Sequence, residues 1–256
     1  AAVREGVSLA NIYLITSGKG GVGKSMVTVC LARALCRRGK RVLLVDCDKG
    51  LRTLDLLTGL GGEAVYDWRD VLLARCAPQD AVLKSPDGLL GLLVPPADPD
   101  AEPAAEDFFA MLSTLSKEYD FCFLDAPAGA GEWVRSLARG ADAALLVVTP
   151  DAVSVRAAAH TAQCICDGEN PPETRLLINR FDADAAKDGD AYSADRVVSE
   201  TYVRLLGAVP EDAHLAKFAA GKKPARQTEA AFDRIAGRLL GEEIPFREKK
   251  IKSILF

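Results

Sequence analysis

The sequence predicts an α/β protein, a single domain built on a mainly parallel twisted sheet with helices on both faces. Three observations predict it. The 256 residues are 49% hydrophobic, enough to bury a sizeable core, and sheet proteins of this length often remain one domain. Short leucine-rich or β-branched runs recur along the chain. Longer stretches with helical spacing lie between most of them. Strand and helix alternating in this way imply right-handed crossovers and a sheet covered on both sides.

In chain order, the strands are expected at 11–16, 41–46, 89–94, 121–125, 143–149 and 175–179, each a compact apolar run suited to burial on both faces. Helical spacing fills 25–38, 106–117, 133–139 and 153–166, and then 191–206 and 228–240. The proline- and acid-rich stretch 95–105 (PPADPDAEPAA) reads as a solvated surface loop, since alternation continues on either side. No internal repeat is visible. In a sheet of this kind the ligand crevice lies beyond the carboxyl ends of the strands, so functional motifs are expected just after strands.

Composition narrows the function classes. A net charge of -4 gives no general reason to expect a polyanion partner, and DNA is an unlikely ligand on that ground. The seven cysteines are scattered and lie mostly in apolar runs, which suits reduced core thiols in a reducing compartment. With two histidines, His160 and His214, no four-ligand zinc pattern can be written. The first residues lack the apolar core of a signal peptide, and no apolar run approaches a membrane span of about 18 residues. A mainly soluble, cytoplasmic protein is expected.

The first strand is followed by Ser17-Gly18-Lys19-Gly20-Gly21-Val22-Gly23-Lys24-Ser25 and a helix. Gly18, Gly23, Lys24 and Ser25 fit the phosphate-loop pattern G-x-x-x-x-G-K-[ST]. Glycines let backbone N–H groups wrap phosphate oxygens, the helix N-terminus adds positive potential, Lys24 reaches the terminal phosphates, and Ser25 ligates Mg²⁺. The run from Gly18 to Met26 is therefore the expected nucleotide-binding loop of a P-loop NTPase fold. A dinucleotide reading also fits Gly18-x-Gly20-x-x-Gly23, with Asp46 as a ribose-binding acid. Lys24-Ser25 argues against it, because a pyrophosphate bound by backbone alone needs neither residue.

Two further segments follow strands. Asp46-Cys47-Asp48 places two carboxylates one residue apart, able to hold magnesium-bound water or to orient an attacking water. Asp125 ends an apolar strand, the Walker B arrangement that holds the magnesium shell through water or Ser25.

With Lys19 inside the loop, the chain resembles the MinD/ParA group of deviant Walker A ATPases, K-G-G-x-G-K-[ST]. The segment from Asp46 to Asp55 is similar to that family's first switch in its MinD form, except that Thr53 replaces asparagine. Asp125-Ala126-Pro127-Ala128-Gly129 is similar to its second switch, with Gly131 where glutamate is usual. The segment 149–156 is similar to N-P-E-V-S-S-V-R-D, with Ala157 in place of the closing acid. The resemblance covers roughly 11–256 and is weakest over 181–200. It implies ATP and Mg²⁺ as ligands, with Asp46 and Asp125 near the metal and Asp48 positioning the attacking water. It also implies that Lys19 touches the partner's nucleotide in an ATP-bound homodimer, adding cationic charge at the developing phosphate much as an arginine finger does. Asn179-Arg180 resembles the adenine-reading pair, and Pro210 lies in a matching Leu206–Asp212 segment. Division-site regulatory proteins are the implied partners. A ParA-type partition ATPase or a flagellar-placement relative is the alternative.

The expected organisation is an extension at 1–10, the ATPase domain at 11–243 and a tail at 244–256. On a helix, Ile251, Ile254 and Leu255 share a face, with Phe256 at its edge and Lys249, Lys250 and Lys252 opposite. Three or four apolar side chains and a few lysines near anionic lipid can give several kcal/mol, but the cost of ordering the tail offsets much of that gain. One tail is therefore a weak anchor, and two joined in a dimer hold well. The resemblance implies the same: peripheral attachment at the inner face of the cell membrane, gained with ATP and lost on hydrolysis.

Overall fold

The computed structural model describes residues 11–48, 52–98, 103–168, 170–215 and 225–246. Eight strands form one sheet in the order β3-β4-β2-β5-β1-β6-β7-β8. They are β1 (Asn11–Ser17), β2 (Val42–Asp46), β3 (Val82–Lys84), β4 (Leu90–Leu93), β5 (Phe121–Asp125), β6 (Ala143–Val148), β7 (Glu173–Phe181) and β8 (Arg204–Pro210). Every pairing is parallel except that of β3 with β4.

The helices are α1 (Lys24–Arg37), α2 (Thr53–Thr58), α3 (Trp68–Leu72), α4 (Ala105–Leu115), α5 (Glu132–Gly140), α6 (Ala152–Cys166), α7 (Ala183–Asp188), α8 (Ala194–Thr201) and α9 (Arg226–Leu239). Alternate strand residues feed opposite faces. Ile15, Leu44, Phe123 and Leu145 pack with α1 and α9. Leu14, Leu43, Leu124 and Ala144 pack with α4 and α5, while Leu146, Val148, Leu176 and Ile178 pack with α6 and α8. Central strands such as β2 and β5 are wholly buried, which is why they read as unbroken apolar runs.

The structure departs from the sequence expectation in several places, the short helices α2, α3 and α7 among them. The stretch expected as one helix over 191–206 is α8 followed by β8, because Tyr202 turns into the left-handed region (φ 57°) and the chain re-enters the sheet at Arg204. The short β3 is formed by Val82-Leu83-Lys84 against β4, too brief to stand out as a period. The cysteines are less uniformly core than expected: Cys30, Cys47 and Cys122 are buried, Cys36, Cys76 and Cys164 are half-buried, and Cys166 is exposed; all are free thiols.

No helix among the described residues is long and apolar enough to cross a membrane. The chain beyond α9 begins against the domain. Arg238 donates to the carbonyls of Leu206, Ile244 and Pro245 and stacks on the Phe246 ring at 3.9 Å. The apolar positions Ile251, Ile254, Leu255 and Phe256, like 1–10, lie outside the described residues.

Candidate functional site

Parallel pairing brings the ends of β1, β2 and β5 to one edge of the sheet. Ile15 and Asp46 both stand opposite Asp125 in the register, so two carboxylates and the loop after Ser17 converge. That loop passes into α1 through Gly21 (φ 81°) and Gly23 (φ 87°), a conformation that L side chains avoid. Val27 is the first residue to bond back, its N–H reaching the Gly23 carbonyl at 2.9 Å. The N–H groups before it lie at the open end of the helix, where an anion is favoured.

At the floor of the site, the Lys24 ammonium lies 3.0 Å from Asp125 Oδ1 and 3.4 Å from Ser25 Oγ. Ser25 donates to Asp125 Oδ2 at 2.6 Å. Thr28, one turn further along α1, has its hydroxyl 2.9 Å from Asp125 Oδ1 and 3.0 Å from the Lys24 carbonyl. Lys24 and Asp125 are both buried, and charges taken out of water need partners of this kind.

An open cleft of about 660 Å³ lies over this cluster. It is lined by Gly20 to Met26 on one side, by Asp48, Thr53, Leu57 and Ala128, and by Asn179, Arg180, Pro210 to Ala213 and Leu215 opposite. The loop and the Asn179-Arg180 and Pro210 segments, far apart in sequence, thus meet in one space. The donor set of hydroxyl and carboxylate oxygens suits a hard cation such as Mg²⁺, which takes one or two protein oxygens and completes its shell with water and phosphate. Ser25 and Asp125 offer that pair, and Asp48 faces the same cleft.

Asp46 is placed differently. It is buried, with Oδ1 accepting the N–H of Asp48 (3.0 Å) and Oδ2 that of Leu54 (3.2 Å). Its carboxyl braces the switch backbone and does not line the cleft, where a ribose-binding acid would have to stand. The dinucleotide reading fails on this geometry. Burial pushes the Asp46 carboxyl up to about 7, and Asp125 pushes the same way. Asp48 is also raised by burial, partly countered by Lys24.

Asn179 is 3% exposed. Its Nδ2 donates to the Val22 carbonyl at 2.8 Å, while its Oδ1 is buried without a hydrogen-bond partner among the described residues. One end of the amide therefore braces the loop and the other is an unused acceptor. Arg180 takes φ 55° and is exposed at the cleft. Lys19 does not line the cleft; its ammonium is 3.2 Å from Asp151 Oδ1. Asp151 also accepts from Thr149 (2.6 Å) and from the Ser154 N–H (2.9 Å). Burial works to raise its carboxyl, but these hydrogen bonds and Lys19 hold it below the usual range.

Sequence reasoning assigned no role to Thr28, to Asp151 and Asp212 within their matching segments, or to Trp68, whose indole N–H reaches the Asp46 carbonyl at 3.2 Å. Each acts through a neighbour distant in sequence or lies one turn beyond a motif, so spacing alone carries no signal for them.

The model of the CobQ/CobB/MinD/ParA nucleotide binding domain family matches residues 13–254. The chain belongs to the MinD/ParA nucleotide-binding family. This MinD/ParA-family chain is 36% identical over 247 residues to the septum site-determining protein MinD of Bacillus subtilis, covering 93% of this chain and 92% of that one. It is similar to the MinC:MinD cell division protein complex of Aquifex aeolicus (TM-score 0.82, 33% identity, 93% of this chain and 99% of that one). The Mg-ADP complex of MinD from Pyrococcus horikoshii, 22% identical, shares the fold (TM-score 0.78, 92% and 100% covered). The fold is thus that of a P-loop NTPase of the MinD/ParA type.

Proposed function

We propose that this MinD-family chain is an ATPase that dimerises with ATP and attaches to the inner face of the cell membrane through its tail, helping to position the division site. Hydrolysis releases it. The observation that carries the reading is the cluster of buried Lys24 and Asp125 with half-buried Ser25 under the cleft: it suits a magnesium triphosphate. Lys24 and the loop N–H groups bind the phosphates. Ser25 and Asp125, with Asp46 behind them, would hold Mg²⁺, which would supply charge neutralisation at the phosphate oxygens. Asp48, half-buried at the cleft, orients the attacking water. The free Oδ1 of Asn179 suits the exocyclic amine of adenine, whereas guanine presents a carbonyl at that position. Lys19, outside its own cleft lining, serves the partner's nucleotide.

The domain takes 11–243 and the tail 244–256, with Ile251, Ile254, Leu255 and Phe256 entering the lipid. The Aquifex relative is found in complex with MinC, and a division-site regulator is the partner expected here, with DNA an unlikely one.

Co-sedimentation with anionic liposomes tests the whole reading. The full chain is expected in the pellet with Mg-ATP and in the supernatant with Mg-ADP. Removal of 247–256 should abolish pelleting, and Asp48→Ala should prolong it by blocking turnover. Lipid binding indifferent to nucleotide, or sedimentation with DNA instead, would sink the proposal.

A further inference from the structure

Asp212 follows the end of β8, beside Asn179-Arg180 on β7: Pro210 pairs with Phe181, and the Glu211 N–H reaches the Phe181 carbonyl. Its side chain is only 4% exposed. Oδ1 accepts the His214 N–H at 2.9 Å, and Oδ2 accepts the Ala225 N–H at 3.1 Å and the Thr228 hydroxyl at 2.8 Å. Burial alone would raise this carboxyl, yet those donors hold it below the usual range. It is thus ionised at neutral pH, and both of its oxygens are engaged.

These bonds join two parts of the chain. His214 lies between the cleft-lining residues Ala213 and Leu215, whereas Ala225 and Thr228 form the start of α9. The N-cap of α9, Ala225, makes no side-chain cap bond of its own; Asp212, 13 residues away, instead holds the start of the helix through the Ala225 N–H and the Thr228 hydroxyl. Helix α9 is in turn fastened to α1 through Arg37 and Asp233, 2.7 Å apart. The far wall of the cleft is therefore tied to the helix that begins at the phosphate loop. This wall carries Ala213 and Leu215 facing a cleft that also holds Met26 and Leu57. It is the apolar end, suited to a flat heteroaromatic ring, while Lys24, Ser25 and Asp48 mark the phosphate end.

We propose that Asp212 is a positioning residue for the base end of this cleft: by stapling the Glu211–Leu215 wall to α9, it sets the affinity for the nucleoside part of the ligand and leaves the phosphate part untouched. The inference rests on the nucleotide-binding reading above.

Calorimetry on the full chain with ATP and with inorganic tripolyphosphate separates the two ends. Asp212→Asn keeps the shape but replaces one acceptor oxygen with a donor amide. It is expected to weaken ATP by about tenfold, the order expected for a lost charge-assisted hydrogen bond, while tripolyphosphate binding stays within about twofold. Thr228→Val should weaken ATP by a few-fold, and Thr228→Ser, which restores the hydroxyl, should bind like the wild type. Equal loss of both ligands, or no loss of either, overturns the proposal. If Asp212→Asn does not fold, the Thr228→Val and Thr228→Ser pair decides it by the same criteria. Failure of the wild type to bind either ligand would instead remove the nucleotide reading on which the inference rests.

Discussion

Gly18 leaves no room for a side chain. A Cβ there would lie 2.2 Å from the backbone carbon of Ala157 and 2.4 Å from its oxygen, and backbone on α6 cannot move aside as a flexible side-chain end can. Gly18→Ala is expected to cost about 1–3 kcal/mol by overpacking and to displace the loop. Thermal unfolding and ATP titration should both show the loss, and a variant that matches the wild type in both refutes the close approach. Asp46 makes a different prediction. Its carboxyl sits at about 7 in the fold and at about 4 in an unfolded chain. Between those values the native state holds a proton that the unfolded chain has lost, so this residue's contribution to stability falls as pH rises and is gone above about 7. In magnesium-free buffer, urea unfolding from pH 5 to pH 8 should show a shallower decline for Asp46→Asn than for the wild type. Parallel curves would remove Asp46 as the source.

At the scale of the element, Asp151 has two tasks of unequal weight. It caps α6 through the Ser154 N–H, and it pairs with a Lys19 that is over one-third exposed. Caps contribute about 1 kcal/mol, whereas exposed ion pairs contribute little. Asp151→Ala should therefore lose about 1 kcal/mol in denaturant unfolding, and Asp151→Ser, which retains a capping oxygen without the charge, should recover most of it. Equal destabilisation by both substitutions would mean that the ion pair dominates. The capping box of α3, built by Asp67 and Asp70, works in the same way and presents Trp68 to the Asp46 carbonyl, so a five-residue helix too short to stand alone supports the switch strand.

At the scale of the molecule, the position of Lys19 leads to a prediction about assembly. Because Lys19 stands outside the lining of its own cleft, Lys19→Ala should bind ATP within a few-fold of the wild type. Sedimentation velocity should find it monomeric in Mg-ATP, where the proposed function expects a dimer of the wild type. A Lys19→Ala dimer, or a tenfold or greater loss of ATP affinity, would place the lysine in the chain's own site instead.

Much of this was legible in the sequence. Strands β1, β2, β4, β5, β6 and β7 could be read because strands buried on both faces must be apolar throughout, and the loop from Gly18 to Ser25 because phosphate chemistry demands specific residue types at fixed spacing. Strand β8 could not, since its run Leu205-Leu206-Gly207-Ala208 continues the helical period of α8 and only the left-handed turn at Tyr202 separates them. The chain by itself determined the fold class, the phosphate loop and the acids that follow β2 and β5. Tertiary structure alone decided that Asp46 braces backbone while Asp48 meets the cleft, that Lys19 pairs with Asp151, and that Asp212 ties one wall of the cleft to α9. The reason is physical: local spacing encodes which side chains share a turn or a strand, whereas a carboxylate's partners are set by which distant N–H groups the folded chain brings within about 3 Å.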